Sequence, residues 1–269
     1  MRKLKTLYEY AALCFGLAFL ACLCIAWSLL AATLCRLLPE RRGRQLGRWV
    51  IMAGFRLYLA VLGWIGACRF DLAALDALRG GPALIIAPNH PGLLDAVMIL
   101  SRLPDVACIL KASLMDHLLF GAGARLACYI RNDMGHAMIK RAVRALDGGS
   151  HLLLFPEGTR TTRLPVNAFK GSTGLIAHHA RVPVQTVFIE AGSPFLGKHW
   201  PLFRRPDLPL GYRVRLGRRF DPPEDIRAFT RELETYFAAE LGADPRPSHR
   251  PAAPQYPRTR QETADEPTL

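Results

Sequence analysis

No Cys-x-x-Cys pair occurs in the 269 residues, although seven cysteines are present. That spacing opens most zinc sites and dithiol redox centres, so its absence leaves a metal or redox cofactor without an evident ligand set. Cys14, Cys22, Cys24 and Cys35 fall inside an apolar run, which argues against a disulfide framework and for a reduced compartment. Acidic residues are scarce too: 22 Asp and Glu stand against 35 Lys and Arg, a formal net charge of +13. In a chain that is 51% hydrophobic, this excess favours an anionic partner, whether membrane phospholipid, nucleic acid, or an acidic carrier with its substrate. Nucleic acid is disfavoured, because neither a recognised binding module nor a basic-aromatic platform is present.

Charge is missing altogether from Tyr10 to Cys35, 26 consecutive residues. As a helix such a run exceeds the roughly 30 Å hydrocarbon thickness of a bilayer, so it can span with tilt or lie deep in one leaflet. A signal peptide has a shorter apolar core, of about 7–15 residues. Arg36, Arg41, Arg42, Arg44 and Arg48 follow the run, against Arg2, Lys3 and Lys5 before it, a bias that leans toward a cytoplasmic catalytic face. A second apolar stretch, Trp49 to Cys68, is interrupted by Arg56, and the two together read as a membrane-embedded helical hairpin over residues 1–68.

Residues 69–243 read as one α/β domain. Strand candidates at Ala83–Ala87, Val106–Leu110, His151–Phe155, Val182–Ile189 and Tyr212–Leu216 alternate with helical patterns, which predicts a mixed, largely parallel sheet flanked by helices. Tyr212–Leu216 alternates apolar and basic residues, as an edge or surface-facing strand does. Asp133 is the expected N-cap of a helix ended by Gly148-Gly149, and a further helix is expected from Gly171 to His178-His179. Residues 244–269 hold six prolines and little apolar material and read as a disordered tail.

Two fragments carry chemistry. In Asn89-His90-Pro91-Gly92-Leu93-Leu94-Asp95, a histidine and an acid follow the buried strand at Ala83–Ala87. Five positions along one helix place side chains about 140° apart, so the two meet only if His90 lies in the turn and Asp95 in the first helical turn. Held so, the carboxylate fixes the imidazole tautomer and leaves the other ring nitrogen as a general base. The fragment contains no serine or cysteine nucleophile, so the proton to be removed belongs to the substrate. Phe155-Pro156-Glu157-Gly158-Thr159-Arg160 ends another buried strand in a turn that displays an acid and an arginine. Arginine offers a planar fork to phosphate, and glycine lets a ligand approach the backbone. The plainer alternative is a surface turn closed by a Glu157–Arg160 ion pair.

With these fragments in view the sequence resembles the membrane-bound glycerolipid acyltransferases of the 1-acylglycerol-3-phosphate acyltransferase type. Asn89 to Asp95 fits the family's His-x4-Asp block and Phe155 to Arg160 its Phe-Pro-Glu-Gly-Thr-Arg block. Gly123 through Tyr129-Ile130-Arg131 and Val182-Pro183-Val184 look like the two remaining blocks, in order, over roughly Ala83 to Ile189. The resemblance implies acyl transfer from acyl-CoA or an acyl carrier protein thioester to a lysophospholipid hydroxyl at the bilayer. It implies His90 as base and Asp95 as its orienting partner. Glu157, Gly158, Thr159 and Arg160 would be acceptor-site residues, with Arg131 and Lys170 as further anion ligands, and no metal, redox cofactor or nucleic acid would take part. Gly92 departs from the serine that many relatives carry, which leaves the acceptor open: another lipid or a specialised-pathway acceptor is the alternative. The basic residues Arg204 to Arg219 are either a solvated face or a surface for anionic headgroups or an acidic carrier.

Overall fold

The computed structural model describes residues 2–117 and 120–242. Helix α1 (Arg2–Leu37) and helix α2 (Glu40–Trp64) are separated at Leu38-Pro39. Proline cannot continue the first helix, and its backbone (φ −58°, ψ 145°) sets the N-cap of the second. Among the described residues, these two helices are long and apolar enough to cross a membrane. Leu7, Leu29, Leu30, Trp49 and Trp64 stand exposed on them.

The hairpin is not a free-standing anchor. Glu9, the last charge before the apolar run, is buried, and it accepts from Arg205 and from the Leu208 backbone at 3.4 Å. Arg48, read from sequence as part of the charged flank of a span, is only 3% exposed. Its Nε donates to the Ala127 carbonyl at 3.0 Å, and Nη1 donates to Ser150 Oγ at 2.7 Å and to Asp105. Arg48 thus fastens α2 to the domain, and positive-inside counting misassigns it. Arg48→Met keeps the aliphatic stem but leaves the Ala127 carbonyl without its donor and Asp105 without its cation, while Ser150 Oγ keeps its bond to Asp105 at 3.2 Å. It is expected to cost about 1–3 kcal/mol of stability, readable by chemical unfolding in detergent.

The described residues form a seven-stranded sheet: β1 (Cys68–Asp71), β2 (Ile85–Pro88), β3 (Val106–Leu110), β4 (Ile130–Arg131), β5 (His151–Leu153), β6 (Val184–Ala191) and β7 (Leu210–Phe220). Their spatial order is β1-β7-β6-β2-β5-β3-β4, and every pair is parallel except β6 with β7. The sheet is therefore mixed and largely parallel, as the alternating pattern predicts. Successive strand residues point to opposite faces. Ile86, Cys108, Leu153 and Val187 pack toward α1, α2 and α3 (Asp95–Leu100), whereas Ile85, Ala107, Leu152 and Phe188 pack toward α6 (His136–Asp147), α7 (Ser172–Ala180) and α8 (Ile226–Gly242). The short helices α4 (Ala112–Met115) and α5 (Gly121–Leu126) lie between β3 and β4, and a Cβ on Gly47 would stand 2.8 Å from Ala127 N. That glycine lets α2 close on the end of α5.

Several sequence expectations need correction. Of the two places expected for strand β7, edge or surface-facing, the second holds: it lies between β1 and β6, with its basic side chains on the solvent face. Much of that charge is matched: Arg215 bonds Glu190 and Glu240, Arg218 pairs with Glu232, and Arg213 with Asp71. Asp133 caps no helix; α6 starts at His136 behind Gly135, and Asp133 pairs with Arg131 instead. Strands β1 and β4 have four and two residues, too short for any periodicity to announce them. The expected tail, 244–269, lies outside the described residues.

Candidate active site

Strand β2 is buried along its length because β5 and β6 cover its two sides, and its polypeptide leaves the sheet at Asn89. The Asn89 side chain extends the ladder by one step: Nδ2 donates to the Ile189 carbonyl at 3.0 Å and Oδ1 accepts from Ile189 N at 2.7 Å. The strand end is thereby locked to β6, and His90 begins the turn from a fixed point.

Asp95 is the first residue of α3, where an acid is favoured by the helix dipole. Its Oδ2 lies 2.7 Å from His90 Nδ1 and accepts from Gly92 N at 2.8 Å, so the carboxylate closes the turn and grips the ring at once. The Asp95 side chain is 1% exposed and that of His90 18%. Burial pushes the Asp95 carboxyl above its ordinary value, the hydrogen bonds from His90 and Gly92 oppose that rise, and the charge on Glu157 adds to it. The imidazole stacks on Phe155, with ring centroids 3.9 Å apart. With Nδ1 turned to the acid, Nε2 carries the lone pair that can accept a proton.

The second fragment is brought to the first, but its residues divide into two groups. Glu157, 2% exposed, faces inward: Oε1 accepts from His90 N at 3.0 Å and Thr161 Oγ1 at 2.7 Å, and Oε2 accepts from Asn167 N at 2.9 Å. Thr161 N in turn donates to the His90 carbonyl at 2.7 Å, so both backbone polar groups of His90 are held by this turn. Asn167 gathers the turn further, its Oδ1 accepting from Thr162 N, Thr162 Oγ1 and Arg163 N. Gly158 and Thr159 are exposed at its tip. Gly158 has φ +66°, and a Cβ there would lie 2.6 Å from Lys170 Cε, so the lysine stem covers the glycine and brings its ammonium alongside.

Arg160 does not pair with Glu157. Its Nη1 donates to the carbonyls of Leu196 at 2.9 Å and Gly197 at 3.0 Å, tying the turn to the loop after β6. Arg131 is not brought to the site. It sits on β4, three strands from β2 or about 14 Å at ordinary strand spacing, and its guanidinium is held by Asp116 at 2.6 Å and Asp133 at 3.0 Å. Asn89, Thr161 and Asn167 were missed as positioning residues; only the place of Asn89 at a strand end hinted at its part.

Beside the turn opens a narrow apolar crevice of about 40 Å³, lined by Leu13 and Gly16 of α1, Tyr58 and Leu62 of α2, and Leu94 and Leu196. The hairpin therefore supplies one wall of the space next to Asp95. Among the described residues, no cluster of three or more His, Cys, Asp or Glu side chains is placed to hold a metal ion.

Residues 69–190 match the family model described as Acyltransferase. The fold is similar to that of the 1-acyl-sn-glycerophosphate (LPA) acyltransferase PlsC from Thermotoga maritima, with a TM-score of 0.60 and 18% sequence identity, covering 90% of this chain and 97% of that one.

Proposed function

Because residues 69–190 form an acyltransferase-family domain and the chain is an acyltransferase, we propose that it moves a fatty acyl group from an acyl thioester to the hydroxyl of a lysophospholipid at a membrane surface. The acceptor that fits best is 1-acylglycerol-3-phosphate, which would yield phosphatidic acid. The observation that carries this reading is the His90 Nδ1 to Asp95 Oδ2 contact of 2.7 Å at the open end of β2.

In the proposed step Nε2 of His90 takes the proton of the acceptor hydroxyl as its oxygen attacks the thioester carbonyl. Asp95 steadies the imidazolium that forms. The tetrahedral intermediate collapses with expulsion of the thiolate, the carbon–sulfur bond breaks, and the proton held on Nε2 passes to sulfur. Ester and free thiol are the products, and His90 returns to its neutral tautomer. The donor is acyl-CoA or an acyl carrier protein thioester; no metal or redox group enters this balance.

Membrane association is supported by the exposed apolar residues of α1 and α2 and by the crevice between hairpin and domain. At about 40 Å³ the crevice holds little more than a water or two, so an acyl chain enters it only by displacing its lining. The positive-inside bias, counted without Arg48, favours the cytoplasmic face for the reaction. Gly92 is buried, and a Cβ there would meet Phe195 O at 3.4 Å, Leu196 O at 3.7 Å and Asp95 Oδ1 at 3.8 Å, so the position is enclosed by its own turn and the loop after β6. Another lipid or a specialised-pathway acceptor is the alternative to lysophosphatidic acid.

Purified protein in detergent, offered a panel of lysolipids with each thioester donor and read by mass spectrometry, tests the proposal. Lysophosphatidic acid is expected to be the best acceptor, and no product from any lysolipid sinks the reading. In the same assay Arg160→Ala is expected to raise the acceptor KM about tenfold. Arg160 has Nε and Nη2 left for a phosphate after Nη1 is spent on the loop carbonyls. An unchanged KM removes Arg160 from the acceptor site.

A further inference from the structure

A second cavity, of about 490 Å³, lies away from His90. Arg48 on its wall bonds Asp105 and Ser150, the residues immediately before β3 and β5, and Tyr129 on its wall immediately precedes β4. It therefore opens at the amino ends of the parallel strands, whereas His90 follows the carboxyl end of β2. The size falls within the range of small-molecule sites.

The lining is strongly one-signed. Arg44, Arg48, Arg125, Arg141 and Arg144 line the cavity, with Glu40 as the single acid. Arg48 is answered by Asp105, and Arg125 donates to the Met115 carbonyl at 2.9 Å, a neutral partner. The side chains of Arg44, Arg141 and Arg144 make no hydrogen bond or ion pair among the described residues. The basic residues of β7 look different, since Arg213, Arg215 and Arg218 each have a carboxylate. Guanidiniums converging from two helices, α2 and α6, and from α5 repel one another unless an anion joins them, and a phosphate group accepts their forks bidentately.

We propose that this cavity binds a phosphate-bearing anion at a site distinct from the acyl-transfer centre. The phosphate is supplied either by a phospholipid headgroup or by a soluble phosphorylated molecule. The cavity adjoins the bend between α1 and α2, where Leu37 is exposed, so a headgroup is within reach of a hairpin that lies in a bilayer.

The test uses the full chain in neutral detergent with two probes: inorganic pyrophosphate by titration calorimetry, and phosphatidylglycerol retention by native mass spectrometry. At least one probe is expected to bind the wild type. Combining Arg141→Gln with Arg144→Gln is expected to weaken that binding about tenfold, because charge-assisted bonds to phosphate are lost. Combining Arg227→Gln with Arg231→Gln on the exposed face of α8 removes the same charge elsewhere and is expected to leave binding unchanged. Retention of the lipid without pyrophosphate binding identifies a headgroup site, and the reverse identifies a soluble ligand. Binding of neither probe, equal binding by the cavity variant, or an equal loss in the α8 control overturns the proposal. Acyl transfer is not the readout, so the outcome stands apart from that of the proposed reaction.

Discussion

His90→Ala is expected to lower acyl transfer by roughly 10²–10⁴-fold, the range for loss of a positioned general base, without releasing the protein from membranes. Asp95→Asn is expected to fall in the same range. Asparagine can offer its carbonyl to Gly92 N or its amide to the ring, but it cannot both accept from Nδ1–H and stabilise the imidazolium. The stability of that variant separates a catalytic acid from a structural one. The folded-state value of Asp95 is raised, so the native chain binds its proton more tightly than the unfolded chain does. The resulting stability is fully present below the unfolded value and is lost as pH rises through the folded one. Above that folded value the ionised, buried carboxylate is therefore a burden on the fold, and Asp95→Asn removes it. The inactive variant should unfold at the same or a higher temperature than wild type at pH 7.5, by about 2–4 °C for each kcal/mol gained. That advantage should shrink toward acid pH. An Asp95→Asn protein that is active, or that is inactive only because it has unfolded, would remove the acid from the role proposed for it.

The second large effect is expected at Glu157. Both carboxylate oxygens accept from donors, three in all, and one of those donors is the backbone N–H of His90. Glu157→Gln turns one oxygen into an amide that points a donor at donors, each buried mismatch costing about 1–3 kcal/mol. Because the turn carries His90, the damage is expected to appear mainly in kcat, with the acceptor KM changing little. A residue that bound acceptor directly would show the opposite split. Steady-state kinetics over a range of lysolipid concentration decides between them, and Glu157→Asp, with its shorter reach, is expected to recover only part of the loss. A selective rise in KM would return Glu157 to the acceptor site and detach it from His90.

These two residues illustrate how much of the site was legible beforehand. The pairing of His90 with Asp95 follows from local geometry: a strand end, a five-residue turn and a helix start leave few ways to arrange the chain, and all of them lie within seven residues. Glu157 and Arg160 were legible as participants but not in their orientation. A turn with an acid and an arginine three residues apart is compatible with mutual pairing, with ligand binding or with inward bonding. The choice depends on His90, Asn167 and the Leu196–Gly197 loop, which are 67, 10 and 36–37 residues away in sequence. Arg48 shows the same limit in the hairpin. Nothing local distinguishes it from Arg41, Arg42 or Arg44, yet it alone of the four is buried, because Ala127, Asp105 and Ser150 meet it across the domain.

Content that is short-range or periodic is therefore readable from the chain's residues alone. The apolar helices, the buried strands, the alternating α/β architecture and the histidine–acid turn are written in neighbouring residues and in repeats of 2.0 and 3.6. Which charges are spent on holding the protein together and which remain for a ligand depends instead on how the folded elements meet. Glu9, Arg48, Glu157 and half of Arg160 are spent; Nε2 of His90 and the guanidiniums of Arg44, Arg141 and Arg144 remain. The physical reason is that a charge's partner is chosen by proximity in space, and the strands that bring Asp105, Ser150 and Asn89 into place are neighbours in the sheet without being neighbours in the chain.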